Sequence, residues 1–342
     1  TNERAYLYVV NLSGGSQIAK VATNTQVSNG LSMPYLYDSN GDKIVDVAYA
    51  GDLQGNLWKF VNTSGTWSLG NGGSPLFSAA IVTGTPQPIT SQPKVAVHPV
   101  SGLMVYFGTG RYLTDADAAS TEQQSFYAIW DKQGVTGTVT RSQLQPQTIT
   151  VTTTLSGYSV RATSNNVPDW DSERGWYLDL PVPTSTSGNL PAERVLSTPL
   201  VMEFVSANVP DRVLFVTNTP TADRCKNGGT TWLMELDLIT GARTATSVFD
   251  FNKDNKFDDK DMLNTDSTAG GDTAVSGIAL PTSYGLTGEP LILETPNPAG
   301  GGSLLIKEYA GSTGVSGPGA APLQQGEGAG GAIHRIYWQQ IQ

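Results

Sequence analysis

A strand that ends in a polar turn recurs along the chain, and this repetition constrains the fold more than any other sequence feature. In each copy, aromatic and aliphatic residues alternate as on a half-buried strand, and Asn, Asp or Gly then turns the chain. The copies span 5–15, 55–65, 125–134, 175–181 and 231–241, with a weaker copy at 303–314. Their spacing, roughly fifty to seventy residues, exceeds the ~40–50 residues of common propeller blades, so inserted loops are expected.

We therefore predict an all-β protein with a β-propeller fold. Four-stranded units repeated around an axis leave few unprotected strand edges, because the ring closes on itself. A β-sandwich also contains many short strands and is the alternative, but its strands would not repeat a motif at blade spacing. Abundant glycine (38) and proline (20) agree with short strands and tight turns rather than long helices.

Segments between the repeats extend this prediction. Residues 94–110 are predicted to form a hairpin that turns at 99–102, and residues 211–220 a buried strand. Residues 258–263 are predicted to form one short helical turn. Tryptophans recur at equivalent positions of the repeats, which indicates packing between blades rather than stacking on a ligand. They are Trp58, Trp130, Trp176 and Trp232.

We interpret residues 1–342 as the propeller region of a longer protein, because the sequence starts abruptly in a strand and shows no signal peptide. No run approaches the ~20 apolar residues of a membrane helix. Segments rich in Gly, Ser and Pro are predicted to be surface loops at 70–75, 183–191 and 311–331, and the glycine-rich segment 311–331 is predicted to be flexible within the propeller.

The charge balance restricts the partners. The chain has 30 acidic and 20 basic residues and a formal net charge of −10, so a phosphate backbone would be repelled and no nucleic acid is expected to bind. An acidic surface suits divalent cations instead. The one cysteine, Cys225, excludes an internal disulfide; it is either a buried thiol or the partner of a cysteine outside this chain.

The sharpest chemical motif is the acidic loop 38–46. Oxygen-bearing side chains stand at positions 1, 3, 5 and 9, as at the front of an EF-hand loop, and position 7 offers a backbone carbonyl to Ca²⁺. The predicted ligands are Asp38, Asn40, Asp42, the Ile44 carbonyl and Asp46. Position 12 is Tyr49 rather than Glu, so Asp46 is expected to make the bidentate contact, helped by water. The alternative is a hairpin turn with solvated carboxylates.

A second acidic loop, 250–261, follows the same spacing and carries a carboxylate at position 12. Its predicted calcium ligands, at positions 1, 3, 5, 7, 9 and 12, are Asp250, Asn252, Asp254, Lys256, Asp258 and Asp261. The alternative is a solvated loop in which neighbouring lysines balance the acidic charge. Magnesium suits both loops less well, because it resists cages built entirely of protein ligands.

The sequence offers little for catalysis. His98 and His334 are the only histidines, which excludes a histidine-rich zinc site, and no GxSxG elbow is present. His98 is predicted to be a surface residue at a hairpin turn. The glycines in 107–112 lack the second half of a dinucleotide fingerprint, so this segment is interpreted as a junction between strand and loop. We predict that the module is not an enzyme.

Several motifs together resemble the PilC/PilY family of type IV pilus tip adhesins, in its C-terminal propeller. The motifs are AGDLQGNLWKF (50–60), FGTGRYL with SFYAIWD (107–131), GWYLDLP (175–181), RVLSTPL (194–200) and GGTTWLMELDLITG (228–241). The loop DSNGDKIVD (38–46) stands just before AGD, where that family carries its calcium loop. The resemblance spans most of 35–245; beyond 265 it is loose, apart from a closing strand at 334–342.

The resemblance implies a modified seven-bladed propeller, of which this chain is the C-terminal portion, in a large exported protein of a Gram-negative bacterium. It implies location at the pilus tip on the cell surface, associated with the outer membrane. The implied partners are minor pilins, a host or abiotic surface, and the protein's own variable N-terminal region. The implied roles are surface attachment in virulence, priming of pilus assembly, and calcium-dependent control of extension and retraction in twitching motility.

Two alternatives to a calcium-regulated adhesin remain. AGDLQGNLWKF is also similar to the repeat of quinoprotein dehydrogenases, which hold a quinone cofactor and calcium at the propeller axis. Such enzymes are commonly helped by a vicinal disulfide, which one cysteine cannot form. The other alternative is a purely structural propeller in which calcium only stiffens loops.

Overall fold

The fold is described from a computed structural model of the chain. It describes residues 4–23, 28–81, 84–182, 191–204, 209–221, 229–254, 256–265, 271–281 and 286–288 in full, and the backbone of 291–296, 303–308 and 323–325. The chain divides into two compact units. Unit 1 comprises 1–146 and 168–199, and unit 2 comprises 147–167 and 200–342.

Unit 1 is built almost entirely of short strands. They are β1 (Tyr6–Val10), β2 (Gln17–Ala22), β3 (Tyr35–Tyr37), β4 (Val47–Gly51), β5 (Asn56–Thr63), β6 (Thr66–Leu69), β7 (Phe77–Ser78), β8 (Lys94–Val97), β9 (Leu103–Gly108), β10 (Ser125–Asp131), β11 (Gln145–Gln147), β14 (Gly175–Asp179) and β15 (Arg194–Val195). The helical pieces are α1 (Asp115–Ala118) and two 3₁₀ turns, Asn71–Gly73 and Arg141–Gln143.

Apart from β15, the strands of unit 1 form three sheets. Strands β1 and β2 make an antiparallel hairpin, a second sheet has the order β3-β4-β5-β6 with β7 also on β5, and a third has the order β11-β14-β10-β9-β8. The predicted hairpin in 94–110 is confirmed, with β8 antiparallel to β9. Its turn uses Gly102 at φ +70°, where a Cβ would lie 2.1 Å from the Asp131 carbonyl oxygen, so only glycine fits.

The core of unit 1 is aromatic. Phe77, Phe107 and Tyr127 pack with ring centroids 4.9–6.2 Å apart, within the range of favourable aromatic pairs. A second cluster places Trp58 and Phe60 of β5 against Leu7 of β1. The expectation of half-buried strands is wrong for β10, because all of its residues are buried, as are those of β9 beside it. The sheet of β3 to β7 contributes to both clusters and so packs on each of the other two sheets.

Unit 2 contains the remaining strands, which are β12 (Ile149–Leu155), β13 (Tyr158–Thr163), β16 (Leu200–Met202), β17 (Arg212–Pro220), β18 (Gly229–Asp237), β19 (Phe249–Asp250), β20 (Gly277–Ala279), β21 (Leu291–Pro296), β22 (Ser303–Glu308) and β23 (Leu323–Gln325). One sheet runs in the order β12-β13-β20-β18-β17 with β16 also on β17, and another in the order β19-β23-β22-β21. A third 3₁₀ turn, Asp259–Asp261, confirms the helical turn predicted in 258–263.

A buried ion pair lies in the larger sheet of unit 2. Arg212 Nε is 3.0 Å from Glu235 Oε2, and both side chains are fully buried. The Arg212 guanidinium also lies 4.7 Å from the centre of the Phe204 ring. Removing one partner would leave an uncompensated buried charge, which typically costs about 3–5 kcal/mol.

The strand predictions are confirmed at every repeat, at β1, β5, β10, β14, β18 and β22. The predicted buried strand in 211–220 is β17. Trp58, Trp130 and Trp176 are buried as expected of core packing, and Trp232 is half-buried.

Some predictions fall outside the described residues. They concern Cys225, the closing strand at 334–342, nearly all of the loop 183–191, and the loop 311–331 apart from Leu323–Gln325, which form β23. None of the helices in the described part of the chain has the length and apolarity needed to cross a bilayer.

Candidate metal site

The loop 38–46 connects β3 to β4 as the end of an antiparallel hairpin. Tyr37 pairs with Val47 at its base, and the Asp46 N–H donates to the Tyr37 carbonyl at 3.0 Å. The next strand holds the loop's exit, because the Asn62 side chain donates to the Val45 carbonyl at 2.9 Å. The predicted loop is therefore set into a β-framework rather than between helices.

Asp38 organises the first half of the loop. Its Oδ1 accepts the backbone N–H groups of Asn40 (3.2 Å) and Gly41 (2.7 Å), and its Oδ2 accepts the Lys43 N–H (2.7 Å). Desolvation is the largest single influence on the Asp38 pKa and raises it, but the backbone N–H donors together outweigh it and lower the pKa below its ordinary value. Asp38 is thus held as a carboxylate.

The other predicted side-chain ligands follow a repeated local pattern. Asn40 Oδ1 accepts the Asp42 N–H and Asp42 Oδ1 accepts the Ile44 N–H, both at 2.8 Å, as in successive Asx turns. Asp46 Oδ2 accepts the Ser39 N–H at 2.8 Å and the Ser39 hydroxyl at 2.5 Å.

The side chains of this loop have the chemistry of ligands for a hard cation, but Asp38, Asp42 and Asp46 are not drawn together around a common point. Asp42 and Asp46 each have a second carboxylate oxygen that makes no hydrogen bond within the described residues. The Ile44 side chain is a hydrocarbon without a donor atom, so only its backbone carbonyl could serve as a ligand. Across the described part of the chain, no three His, Cys, Asp or Glu side chains are gathered closely enough to hold a metal ion. Carboxylates repel one another without a cation, and backbone N–H groups compensate them here.

Tyr49 stands at position 12, where an EF-hand loop has its Glu ligand, and it forms a buried hydrogen bond instead. Its side chain is fully buried, and its hydroxyl donates to Asp131 Oδ2 at 2.5 Å. Lys59 Nζ lies 2.6 Å from the same oxygen. Burial, followed by the neighbouring Asp131 charge, raises the Tyr49 pKa well above its ordinary value, so Tyr49 stays a donor. The strand after the acidic loop is therefore attached to β10 of the neighbouring sheet.

The second loop, 250–261, is anchored by buried carboxylates at both ends. Asp250 ends β19, and its Oδ1 accepts the Lys253 N–H at 2.6 Å. Asp261 Oδ1 accepts the N–H groups of Phe251 (2.7 Å) and Asn252 (3.2 Å), and its Oδ2 accepts that of Asp258 (3.4 Å). Both carboxylates are fully buried.

The middle of this loop repeats the Asx turns of the first. Asn252 Oδ1 accepts the Asp254 N–H and Asp254 Oδ1 accepts the Lys256 N–H, both at 2.9 Å. Asp258 caps the 3₁₀ turn, because its Oδ1 accepts the Lys260 N–H at 3.0 Å. Lys256 carries an exposed ammonium group, so it could contribute only its carbonyl oxygen.

The pKa of Asp261 shifts in the opposite direction from that of Asp38. Desolvation by burial raises it; the N–H groups of Asn252, Phe251 and Asp258 oppose that rise, and the nearby Asp250 carboxylate adds to it. A cation between Asp250 and Asp261 would offset both the cost of burying the two charges and their mutual repulsion.

A polar cluster around Asp52 was not predicted from the sequence. The fully buried Asp52 accepts the backbone N–H of Gln54 (2.9 Å) and of Asn56 (2.8 Å), and its Oδ2 accepts the Trp58 indole N–H at 2.8 Å. Asn29 also donates to it at 2.9 Å. The AGDLQGNLW motif is therefore a hairpin closed by one carboxylate. The spacing of Asp52 and Trp58 within this motif is the sequence feature from which their hydrogen bond could have been predicted.

The prediction that His98 is a surface residue is wrong. His98 is 2% exposed, stacks on Trp130 at 4.0 Å between ring centroids, and meets Trp170 edge-on at 4.6 Å. Burial, with a smaller contribution from Lys132, lowers the His98 pKa to about 4. The hairpin turn thus folds its histidine inward, because aromatic side chains distant in sequence enclose it.

The glycines of 107–112 serve packing. A Cβ on Gly108 would lie 2.2 Å from Val195, and one on Gly110 would lie 2.6 Å from Arg194. The segment follows β9 and leads into α1, a single turn of four residues. Its interpretation as a junction between strand and loop is confirmed.

Comparisons with known proteins identify the family. Residues 1–158 match the family model described as the PilY1 beta-propeller domain. The chain is 36% identical over 299 residues to the type IV pilus biogenesis factor PilY1 of Pseudomonas aeruginosa strain PAO1, covering 76% of this chain and 25% of that protein. It is 34% identical over 306 residues to a PilY1 homolog of Xylella fastidiosa strain Temecula1, covering 82% of this chain and 20% of that protein.

A solved structure is similar over most of the chain. The crystal structure of the Pseudomonas aeruginosa PilY1 C-terminal domain superimposes with a TM-score of 0.72 and 29% identity, covering 93% of this chain and 66% of that one. The chain spans a quarter or less of the length of these curated relatives. The predicted resemblance and fold class are confirmed: the chain belongs to the PilY1 family and corresponds to its C-terminal β-propeller domain.

Proposed function

We propose that this domain is a calcium-binding module of a type IV pilus tip adhesin, and that calcium acts through the loop 38–46. The observation that carries the proposal is the attachment of this loop to the neighbouring sheet. The loop presents four side chains with oxygen ligands in a β-hairpin, and the strand that leaves it is fixed to β10 through Tyr49 and Asp131.

Calcium binding at 38–46 would use the oxygens that Asp38, Asn40, Asp42 and Asp46 present, together with the Ile44 carbonyl. Six to eight oxygen ligands are usual for Ca²⁺, so water would complete the shell. Asp46 supplies the bidentate contact in this proposal, and Ser39 releases one of its oxygens. The loop would then become rigid at the end of a hairpin whose base is half-buried.

Loop 250–261 is proposed as a second calcium site. Its ligands would be Asp250, Asn252, Asp254, Asp258 and Asp261, with the Lys256 carbonyl. Support comes from the full burial of the Asp250 and Asp261 carboxylates at the two ends of the loop.

The pilus role extends what the names of the relatives say, since those proteins are called type IV pilus biogenesis factors. We place this domain at the pilus tip on the cell surface of a Gram-negative bacterium, in contact with minor pilins, with the rest of its own chain and with host or abiotic surfaces. Calcium-dependent control of extension and retraction, surface attachment and virulence are parts of the proposal. The domain is proposed to act without enzymatic activity.

Calorimetry tests the metal assignment. Asp46→Ala should abolish tight calcium binding at 38–46, because it removes the bidentate ligand. Asp171→Ala is the matched control, since it removes one exposed carboxylate from another loop of unit 1. Unchanged calcium affinity in Asp46→Ala would refute the site.

Cells carrying Asp46→Ala in the full-length protein test the regulatory role. Altered pilus display or twitching, with normal behaviour of Asp171→Ala, is the expected result. Normal piliation and motility in cells whose loop no longer binds calcium would remove regulation and leave a structural role. A quinone absorbance band in the purified protein would contradict the absence of enzymatic activity.

A further inference from the structure

We infer that Asn40 is a site of spontaneous deamidation, and that the acidic loop 38–46 controls its rate. The dependence of this rate on calcium rests on the proposed function; the reactivity itself does not. The inference follows from a comparison of Asn-Gly pairs, which are the most reactive sequence for this chemistry because glycine has no Cβ to obstruct the attacking nitrogen.

The reaction needs no partner other than water. The Gly41 backbone nitrogen loses its proton and attacks Asn40 Cγ; the new N–Cγ bond forms, the Cγ–Nδ2 bond breaks, and ammonia leaves with the transferred proton. Water then opens the cyclic imide. Opening at Cγ yields aspartate. Opening at the Asn40 backbone carbonyl yields isoaspartate, in which the side-chain carbonyl carbon forms the peptide bond to Gly41.

The chain has four Asn-Gly pairs, of which three lie in the described residues. At Asn29 the side chain is half-buried and its Nδ2 donates to Asp52 at 2.9 Å. At Asn71 the Nδ2 donates to the Pro75 carbonyl at 2.8 Å, and the Oδ1 accepts the Gly137 N–H at 2.8 Å. Both amides are fixed by atoms outside their own turn.

Asn40 differs from these two in its leaving group. The residue is exposed, and its Nδ2 makes no hydrogen bond within the described residues. The Asn40 Nδ2 is therefore open to water, which can relay to it the proton that the Gly41 nitrogen gives up, and ammonia can leave. An ideal Cβ would meet no atom within 4 Å at either Gly41 or Gly72, so Asn40 and Asn71 differ in the leaving group and not in the space around the nucleophile.

The loop also activates the reacting atoms. The Gly41 N–H donates to Asp38 Oδ1 at 2.7 Å. The Asp38 carboxylate is therefore placed as a general base for the proton that the Gly41 nitrogen must lose. Asn40 Oδ1 accepts the Asp42 N–H at 2.8 Å, which polarises the carbonyl under attack. The same residues that are proposed to bind calcium thus favour the chemistry when calcium is absent.

The two products have different consequences for the loop. Aspartate at position 3 keeps the metal-binding pattern, which accepts either Asp or Asn there, and adds a negative charge. Isoaspartate lengthens the backbone between Asp38 and Asp42, so these side chains lose their register. A cation bound to Asn40 Oδ1 and to the Asp38 carboxylate would hold the Asn40 side chain in place. It would also prevent Asp38 from accepting the Gly41 proton, so the reaction would be slower.

Peptide mapping by mass spectrometry tests the inference on the purified domain. In mildly alkaline buffer with a chelator, Asn40 should exchange amide nitrogen for oxygen several-fold faster than Asn71 in the same sample. Gly41→Ala should slow the reaction at Asn40 and leave Asn71 unchanged, and Asn40→Asp supplies the reference product. Equal rates at Asn40 and Asn71 in the chelator would overturn the inference.

A calcium titration of the same reaction separates the inference from the proposed function. If only the metal-free loop reacts, the Asn40 rate falls about tenfold at a calcium concentration ~10 times Kd, while the Asn71 rate stays constant. Fast reaction at Asn40 that calcium does not slow would support the modification and contradict the calcium site. Slowing of both asparagines equally would overturn control by the loop.

Discussion

The loops 38–46 and 250–261 share a spacing of acidic residues but hold it by different means. The first is exposed over most of its length, and its carboxylates are compensated by N–H groups of the loop itself. The second is suspended between two fully buried carboxylates, Asp250 and Asp261. The difference teaches that the same acidic spacing can be held either by the backbone of an exposed hairpin loop or by carboxylates buried in a core.

Among the predictions, Asp261→Ala should produce the largest effect. If it does not destabilise unit 2, the second loop is not anchored by its buried carboxylates and the contrast between the loops is wrong. The substitution leaves the N–H groups of Phe251 and Asn252 without their acceptor, which we expect to destabilise unit 2 by about 2–4 kcal/mol even in a chelator. Asp46→Ala is the counterpart in the first loop and should cost unit 1 less than about 1 kcal/mol. Hydrogen exchange of the β18 and β5 amides, respectively, reports each unit; equal losses would show that both loops are anchored alike.

Calcium should order the first loop more than the second. Loop 250–261 is already fixed at both ends, whereas 38–46 is fixed only at its base, so its amides should gain more protection on binding. At calcium ~10 times Kd, exchange from 39–45 should slow about tenfold if only the free loop opens. Hydrogen exchange with mass spectrometry measures both segments together. Greater protection in 251–258 would reverse the comparison.

The metal-free loops should respond to pH with opposite signs. Burial raises the Asp261 pKa above its ordinary 3.8, so the stability of unit 2 should fall as the pH rises through the window between 3.8 and the raised value. The lowered pKa of Asp38 contributes stability above 3.8, which is lost as the pH falls through its lowered value. Unfolding curves at graded pH in a chelator measure this. Asp261→Asn should abolish the first trend, and its persistence would assign that trend to another group.

The smallest effect concerns position 4 of each loop. Both loops need a left-handed backbone there, with Gly41 at φ +79° and Lys253 at φ +62°. Gly41→Ala should therefore destabilise the first loop by about 1 kcal/mol, and Lys253→Gly should stabilise the second by less than about 1 kcal/mol. Thermal unfolding of both variants provides the measurement. A stabilising Gly41→Ala would mean that the two loops differ in backbone as well as in anchoring.

Much of the fold could be predicted from short runs of aromatic and aliphatic residues that end at a polar turn. The strands β5, β10 and β18 follow from such runs, and the acidic spacing places both loops. Contacts between residues far apart in sequence could not be predicted. Tyr49 meets Asp131 across 82 positions, and His98 is enclosed by Trp130 and Trp170. In each case side chains that are distant in sequence decided the environment of the residue.

The hydrogen bond between Asp52 and Trp58 bears on how related proteins are recognised. AGDLQGNLW resembles both pilus adhesins and quinoprotein enzymes, and in this chain the motif forms a buried hairpin closed by the Asp52 carboxylate. Its appearance in another sequence therefore predicts this hairpin and does not by itself decide between the two classes of protein. Transfer of function between propellers should rest on what is inserted beside this hairpin, such as the acidic loop that precedes it.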